Sequence, residues 1–451
     1  MVDNRLRRLL EARTQTQGDD LFGDYELIDR NQPLNLAPIK RVAVLTESFL
    51  PKVDGVSKTS YLTVRYLQET GREVLIFGPD TAIPNVGNSE VVPLPSVSIP
   101  TATETRMALP IPYIAKRLQE FQPDLIHLAS PALMTISGMV LGREMNVPVV
   151  ANYQTDLPGY AAHYGIPMLQ HPVRGWLRYL HNGCHINLVP SRMVGDELKQ
   201  HGFRRRRVWG RGVNIERFNP SHFSQTMRER MLNGRDPDSV LVIFVGRLAN
   251  EKRVDLLRDV ADVPGVALTI IGDGHMREEW EMLFAGTGTH FMGYMYKDEL
   301  ATAFASADAF FFPGPNETFG QVVQEAMASG LPTIVTDQGA VGELVDEGRT
   351  GFVVRHEHEA FANAARILQE NRALLAEMSR NARAVAETRP WSAIMAQLEH
   401  YYHEAVIINE RFKRMHGQTF YHRPLALGAR LQQQITALEE LIIQNATPQK
   451  G

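Results

Sequence analysis

The stretch ADAFFFPGPNETFGQVVQEAMASGLPTIV (307–335) decides the fold of this chain. Its first residues, ADAFFFP (307–313), form an apolar run that predicts a buried strand. A helix is expected to begin near Phe319 and to end at Gly330, where Gly-Leu-Pro stops it before the next strand, 333–336. A strand, a loop, a helix and a second strand in this order are typical of a parallel sheet covered by helices.

Two glutamates in this stretch, Glu317 and Glu325, are eight residues apart. The predicted helix places Glu317 in the loop at its N-terminus and Glu325 about two turns inside. Carboxylates accept hydrogen bonds from hydroxyl groups, and helix N-termini attract anions. The pattern therefore suits a ligand that carries both hydroxyls and phosphates. It also fits a capped helix with an acidic first turn, and the spacing alone does not separate the two.

The same alternation of strand and helix signals runs through most of the chain. Strand candidates form two series, an N-terminal one at 41–46, 73–78, 124–129, 147–153 and 186–190, and a C-terminal one at 239–247, 266–274, 290–294, 307–313, 331–336 and 351–354. We therefore predict an α/β protein with two Rossmann-like domains, 41–210 and 211–388, whose parallel sheets face a central cleft. A polar extension, 1–40, precedes them.

Composition limits the classes of function. The chain has 451 residues, with 47 basic and 51 acidic side chains and a net charge of −4, which gives no case for nucleic-acid binding. Cys184 is the only cysteine, which excludes an internal disulfide and fits a reducing cytosol. The N-terminal residues lack the apolar stretch of a signal peptide, and no apolar run reaches the ~20 residues that span a bilayer. We expect a cytoplasmic protein.

Two further loops carry residues suited to phosphates. Asp54 and Gly55 end a loop after the first strand and begin a helix, and a glycine there lets backbone approach a phosphate closely. Arg247 and Lys252 follow the strand at 239–245, where a guanidinium fork and an ammonium could clamp two phosphate groups. A plain turn glycine and ordinary exposed cations are the alternative interpretations.

Two other motifs are weak. Gly272-Asp273-Gly274 is half of a dinucleotide fingerprint, but Arg277 replaces its third glycine and Met292 stands near the position of the ribose-binding acid. Asp236 and Asp238 precede a strand instead of following one, so we do not expect them to bind a metal.

The combination resembles the family 4 glycosyltransferases, which are retaining enzymes of the GT-B fold. The resemblance covers about 41–406 and rests on Gly246-Arg247-Leu248…Glu251-Lys252 and on Glu317…Glu325. Within the family, MREEWEMLFAGTGTHFMGYMYKDELATAFASADAFFFP (276–313) is similar to the sulfoquinovosyltransferases that make sulfolipid. YQTDLPGYAAHYG (153–165) is more similar to the GDP-mannose-dependent α-mannosyltransferases.

The resemblance implies roles for the two glutamates and their neighbours. Glu325 would hold the ribose hydroxyls of a sugar nucleotide. Glu317 would bind the hydroxyls of the transferred sugar, with help from the backbone of Phe319 and Gly320. The function implied is transfer of a hexosyl group from GDP-mannose, UDP-sulfoquinovose or another UDP-hexose to a lipid or glycan acceptor, with retention at the anomeric carbon.

The resemblance also implies how the leaving group and acceptor are bound. Arg247 and Lys252 would neutralise the diphosphate, so no metal or other cofactor is expected. The acceptor would lie on the N-terminal domain, with Gly55 near the phosphates. Asp156, Gln154 and Tyr153 are the candidates for the polar rim that faces the sugar and acceptor, and Asp156 is the catalytic candidate on this side.

His127 is interpreted as structural, because the histidine that touches the sugar in some relatives is replaced here by Ala129. The run Arg204–Arg207 could contact anionic lipid headgroups, as a peripheral enzyme would, or form a solvated loop. Residues 389–406 would form a helix that crosses back to the N-terminal domain. A helical tail, 407–451, could pack on the body or on another subunit.

Two alternative functions fit the same residues. One is another GT-B enzyme of sugar nucleotides, such as an epimerase. The other is a protein that binds a nucleotide sugar without catalysis, although the intact set Arg247, Lys252, Glu317 and Glu325 argues against lost activity.

Overall fold

The computed structural model describes residues 22–52, 54–80, 82–99, 102–108, 112–130, 133–154 and 170–416. Asp156, one of the predicted catalytic residues, lies outside these ranges. Two parallel sheets, one in each half of the chain, dominate the architecture. Helices cover them, because their strands are buried on both faces and must be shielded from water.

The N-terminal half contains an eight-stranded sheet in the order β10-β9-β8-β7-β1-β2-β4-β3, with an antiparallel edge pair β3–β4, and a separate hairpin β5–β6. The strands are β1 Arg41–Leu45, β2 Glu73–Pro79, β3 Asn85–Val86, β4 Ser89–Leu94, β5 Ser96–Ile99, β6 Ala102–Ala108, β7 Leu125–Leu128, β8 Val149–Asn152, β9 Ile186–Val189 and β10 Arg206–Val208. Its helices are α1 Gly55–Glu69, α2 Pro112–Phe121, α3 Leu133–Glu144, α4 Gln170–Gly183 and α5 Arg192–Gln200.

The C-terminal half contains a six-stranded parallel sheet in the order β13-β12-β11-β14-β15-β16. Its strands are β11 Val240–Val245, β12 Val266–Ile271, β13 His290–Phe291, β14 Ala309–Phe312, β15 Thr333–Thr336 and β16 Gly351–Val354. The helices are α6 Gln225–Leu232, α7 Arg277–Leu283, α8 Lys297–Ala305, α9 Gln321–Ala328, α10 His358–Glu370 and α11 Arg372–Glu387. The strand candidates of both series correspond to observed strands, so the α/β class is confirmed.

The last helix, α12 (Trp391–His416), packs on the N-terminal half. Trp391 and Tyr402 are buried there. Arg72 forks onto Glu399 of this helix, with Nη1–Oε1 and Nη2–Oε2 distances of 2.5 and 2.8 Å. The helix continues to His416, so it includes residues that were expected to form a separate tail.

Residues 22–40 differ from the polar extension that their composition suggested. Phe22, Tyr25 and Leu27 are buried in the same core as the end of the chain. Apolar side chains at these few positions find burial against α1 and α12, a long-range contact that local polarity does not reveal.

The arginine run Arg204–Arg207 is not a simple solvated loop, since β10 begins at Arg206. Arg205 donates to the carbonyls of Asn182 and Cys184, at 2.6 and 2.7 Å. Arg207 Nε donates to Glu404 on α12 at 2.7 Å. These guanidinium groups therefore brace the sheet edge, and within the run only Arg204 is exposed. In the part of the chain that is described, no helix is long and apolar enough to cross a membrane.

Candidate active site

Two loops at the carboxyl edge of the C-terminal sheet bring predicted site residues together. The strands β11 and β14 are neighbours, with Val242 paired to Ala309. The loops that follow them carry Lys252 and Glu317, and Lys252 Nζ forms an ion pair with Glu317 Oε1. Parallel strands place their carboxyl ends at one edge, which explains why residues 65 positions apart meet.

Lys252 is held on more than one side. Its Nζ lies 5.5 Å from the ring centroid of Phe312, and its side chain is 19% exposed. Glu317 is 27% exposed. Both groups therefore remain within reach of a ligand while their positions are set by the two loops.

Arg247 lies on the same loop as Lys252 but is far more open. Its side chain is 59% exposed, and Nη2 donates to Glu251 at 2.6 Å. Exposed ion pairs contribute about 0–1 kcal/mol, so this guanidinium can exchange its carboxylate partner for a phosphate at little cost.

Helix α9 begins beside Glu317. Gly320 has a φ of +93°, and a Cβ on it would lie 2.8 Å from Val341, so glycine is required here. No side chain caps this helix, which leaves N–H groups of the first turn for another acceptor. Because the helix begins at Gln321 and not near Phe319, Glu325 lies just over one turn inside, closer to the N-terminus than predicted.

Glu325 faces a residue that the sequence did not single out. Lys58 of α1 places Nζ 3.6 Å from Glu325 Oε1, and the two side chains are 16% and 14% exposed. Burial raises the pKa of Glu325, and the charges of Lys58 and Arg217 oppose that rise. The pKa of Lys58 is also raised, because Tyr25 and Glu325 together outweigh the lowering effect of burial.

Asp54 and Gly55 form the start of α1. Asp54 caps the helix by accepting a hydrogen bond from the Ser57 amide at 2.7 Å, and it accepts a second from the Ser48 hydroxyl at 2.8 Å. A Cβ on Gly55 would meet nothing within 4 Å. Asp54 therefore acts as a cap, whereas the space at Gly55 is open to a ligand.

Gln154 and Tyr153 have different surroundings. Gln154 donates to the Ala129 carbonyl at 3.2 Å and accepts from Arg211 at 2.7 Å. Arg211 was missed by the sequence reasoning; it is buried, and burial lowers its pKa to about 10. Tyr153 is 4% exposed and packs in an aromatic cluster with Phe203. The expectation that Tyr153 lies on an exposed polar rim is therefore wrong.

His127 is buried and has two partners. Its Nδ1 lies 2.7 Å from the Tyr402 hydroxyl, and its Nε2 lies 3.2 Å from Asn152 Oδ1. Burial lowers the pKa of His127 to about 4, which keeps the ring neutral near pH 7. The contact with Tyr402 makes His127 part of the packing between α12 and the sheet.

The Gly272-Asp273-Gly274 motif is explained by packing. A Cβ on Gly272 would lie 1.9 Å from the Gly246 carbonyl oxygen, and one on Gly274 would lie 2.2 Å from that of Leu248. These glycines let the loop that carries Arg247 pack closely on its neighbour. Among the described residues, no group of three or more His, Cys, Asp or Glu side chains could hold a metal ion.

Contacts also join the two halves of the chain. Both carboxylate oxygens of Glu343 accept backbone N–H groups at the start of α5, from Arg192 at 2.9 Å and from Met193. Gln321, at the start of α9, donates to the Gly212 carbonyl at 3.0 Å, in the connection that leads from β10 to α6. The carboxylate of Glu343 thus satisfies the N-terminus of a helix in the other domain.

The chain is similar to known glycosyltransferases over most of its length. Residues 53–217 match the family model Glycosyltransferase Family 4, and residues 227–385 match Glycosyl transferases group 1. A GDP-mannose-dependent alpha-mannosyltransferase of Mycobacterium tuberculosis is 38% identical over 81% of this chain and 97% of its own length. The sulfoquinovosyl transferase SQD2 of Arabidopsis thaliana is 33% identical over 89% of this chain and 81% of its own.

Solved structures show the fold. A sucrose-phosphate synthase from Thermosynechococcus elongatus superposes with a TM-score of 0.66 at 19% identity, covering 82% of this chain and 99% of its own. Anabaena HepE in complex with UDP has a TM-score of 0.61 at 20% identity and covers 83% and 98%. The GT-B prediction is therefore confirmed, and the chain belongs to the family 4 glycosyltransferases, enzymes that transfer a glycosyl group from a sugar nucleotide.

Proposed function

We propose that this glycosyltransferase moves a hexosyl group, with retention at the anomeric carbon, from GDP-mannose or a UDP-hexose such as UDP-sulfoquinovose to a lipid or glycan acceptor. The observation that carries the proposal is the ion pair between Lys252 and Glu317 beside the uncapped N-terminus of α9. It combines a cation for phosphate, a carboxylate for sugar hydroxyls and free backbone N–H groups in one place.

The donor lies along this edge of the C-terminal sheet. Glu325 binds the ribose hydroxyls, and Glu317 binds hydroxyls of the transferred sugar together with the backbone at Phe319 and Gly320. Lys252 and Arg247 bind the diphosphate. Both cations are paired with carboxylates in the structure, and the diphosphate replaces Glu251 and Glu317 as their partner.

The chemistry follows from the charge that develops. When the bond between the anomeric carbon and the diphosphate oxygen breaks, negative charge grows on the leaving group. Fixed cations and helix N–H groups stabilise that charge, at about 3 kcal/mol for each well-placed donor. Arg247 and Lys252 supply this stabilisation, and no metal or cofactor is required. The leaving phosphate accepts the acceptor's proton on the same face, which gives retention.

The acceptor lies on the N-terminal domain near Gly55. Asp156 and Gln154 are the proposed polar contacts on this side, and Asp156 belongs to the undescribed part of the chain. Gln154 already holds Arg211, so it acts through an amide whose orientation is fixed from two directions.

Contact with an anionic membrane is supported by one surface of the N-terminal domain. Arg178, Tyr179 and Arg204 are exposed, and the first two lie on α4. The Arg178 side chain lies against Gly202, two residues before Arg204. A basic surface with an aromatic side chain suits anionic headgroups. Replacing both Arg178 and Arg204 by Glu should abolish flotation of the protein with anionic vesicles. Its flotation with neutral vesicles should not change. Equal flotation of both proteins would contradict the membrane proposal.

The donor is tested by thermal-shift measurements with GDP, UDP and ADP, since a ligand that binds only the folded state raises the melting temperature. A shift with GDP alone supports the mannosyl assignment and ends the sulfolipid one, and a shift with UDP alone does the reverse. Transfer of labelled sugar then checks catalysis. Glu317→Ala should abolish transfer while nucleotide binding persists, and unchanged turnover in that variant would refute the sugar-contact role.

A further inference from the structure

Ion pairs and cation–π contacts connect residues from four separate parts of the chain around Glu325. They are Asp24 and Tyr25 in the N-terminal segment, Lys58 in α1, Arg217 in the connection between β10 and α6, and Glu325 itself in α9. We call these five residues the Glu325 cluster. The family models match residues 53–217 and 227–385, so the N-terminal segment lies outside both.

The Tyr25 ring lies close to both cations of the cluster. Lys58 Nζ is 5.0 Å from the ring centroid, and Arg217 Cζ is 5.8 Å from it. Both distances fall within the range of a cation–π attraction. Trp391 also packs edge-on against Tyr25, with ring centroids 6.4 Å apart. Tyr25 therefore limits where both cations can move.

Asp24 connects the N-terminal segment to the residues between β10 and α6. Its Oδ1 lies 3.0 Å from Arg217 Nη2, and its Oδ2 accepts a hydrogen bond from Asn214 at 2.8 Å. The Arg217 side chain is 13% exposed. Since a buried guanidinium needs a compensating partner, Asp24 holds Arg217 in the cluster.

Lys58 and Arg217 favour the ionised form of Glu325. Burial disfavours its charged form and raises its pKa, while Lys58 and Arg217 oppose that effect. An ionised carboxylate can accept two hydroxyl hydrogen bonds, whereas a protonated one must also place a proton. Loosening either cation therefore weakens Glu325 as an acceptor of ribose hydroxyls.

We propose that Asp24 and Tyr25 are positioning residues of the donor site, which hold Arg217 and Lys58 in place so that the Glu325 carboxylate is oriented toward the ribose. The inference rests on the proposed ribose role of Glu325. It assigns part of nucleotide binding to a segment that precedes both family domains. A brace that served stability alone would alter the melting temperature and leave the affinity of the folded protein unchanged.

The test is calorimetric titration of the full-length protein with GDP and with UDP at a series of pH values from neutral to acid. The variants are Tyr25→Ala and Asp24→Asn, with Glu325→Gln as the reference for loss of the ribose contact. Asp29→Asn is the matched control, because Asp29 lies in the same segment and its carboxylate accepts a hydrogen bond from the Asn31 amide. If Tyr25→Ala does not fold, Tyr25→Leu and Asp24→Asn carry the test.

The Tyr25 and Asp24 variants should bind the preferred nucleotide about tenfold more weakly than wild type, as expected when a contact to a charged group is lost. As the pH is lowered, the affinity of these variants should begin to fall at a higher pH than that of wild type. The reason is that Glu325 takes up a proton at a higher pH when the two cations no longer lie beside it. Wild-type affinity at every pH in either variant would overturn the role of that residue. If Glu325→Gln is weakened and these variants are not, the inference alone fails. If Glu325→Gln binds as wild type, or wild type binds neither nucleotide, the proposed donor site fails and the inference falls with it.

Discussion

Lys58 of the N-terminal domain and Glu325 of the C-terminal domain form an ion pair, with Nζ 3.6 Å from Oε1. Both side chains are largely buried, and they join the helix that begins at Gly55 to the helix that begins beside Glu317. The proposed acceptor and donor sides of the enzyme are therefore connected through the residue that we assign to the ribose.

Charge reversal separates the structural role of this pair from its role in binding. Lys58→Glu places two carboxylates in a nearly buried site and should destabilise the protein by about 3 kcal/mol. Adding Glu325→Lys restores an attractive pair, so the melting temperature should recover. Nucleotide affinity should not recover, because an ammonium cannot accept ribose hydroxyls. Affinity is measured by calorimetric titration and stability by thermal unfolding. Recovery of both the melting temperature and the nucleotide affinity would contradict the assignment of Glu325 to the ribose.

Lys252 should matter for turnover far more than for stability. Lys252→Ala removes a cation from the leaving diphosphate, and transfer from the labelled donor should fall by about 100-fold or more. The melting temperature should change little, since Glu317 is partly exposed and can be solvated once its partner is gone. Lys116→Ala, an exposed lysine on α2, is the control. A variant with wild-type turnover would remove Lys252 from the mechanism.

The contact of Glu343 with the start of α5 should hold the domains together. Glu343→Ala removes the acceptor of the Arg192 and Met193 amides. We expect a larger radius of gyration by small-angle scattering of the ligand-free protein. Glu357→Ala, which removes an exposed carboxylate within the C-terminal domain, should leave scattering unchanged. Identical scattering curves for Glu343→Ala and wild type would mean that other contacts hold the two domains together and that Glu343 is not needed for this.

His127 makes a specific prediction about acid stability. The pKa of His127 is about 4 in the folded protein and about 6.5 in an unfolded chain. Between these values the unfolded state binds more protons than the folded state. The contribution of His127 to the free energy of unfolding is therefore fully present above pH ~6.5 and is lost as the pH drops toward ~4, by about 3 kcal/mol. The thermal midpoint of His127→Gln should depend less on pH in this window.

His185 contributes in the same direction, because burial lowers its pKa to about 3. Some pH dependence should therefore persist in His127→Gln. His222→Gln, at an exposed position, should match wild type throughout. A slope in His127→Gln equal to that of wild type would show that His127 does not carry the effect.

The elements of the fold that local sequence patterns determine could be predicted from the sequence. The apolar runs around β11 and β14 located those strands to within a few residues, which placed Lys252 and Glu317 in the loops that follow them. The short edge strand at Arg206–Val208 was missed because a run of arginines hides it. Residues 22–40 were misjudged for a related reason, since a few buried apolar side chains among polar ones do not alter the average composition.

The contacts between domains could not be predicted from local pattern. Lys58 is an ordinary polar position on an amphipathic helix, and its partner Glu325 lies in the other domain. Tyr153 illustrates the converse error. A tyrosine at a strand end was expected at a polar rim, but packing of α4 and of Phe203 buries it. Only the relative placement of distant elements decides such cases.

The most direct measurement is a structure of the complex with the nucleoside diphosphate that thermal shift identifies. We expect the diphosphate to lie within hydrogen-bond distance of Arg247 and Lys252. Lys252 should have exchanged Glu317 for a phosphate oxygen, and the ribose hydroxyls should contact Glu325. A diphosphate bound away from Lys252, or a ribose that makes no contact with Glu325, would contradict this expectation.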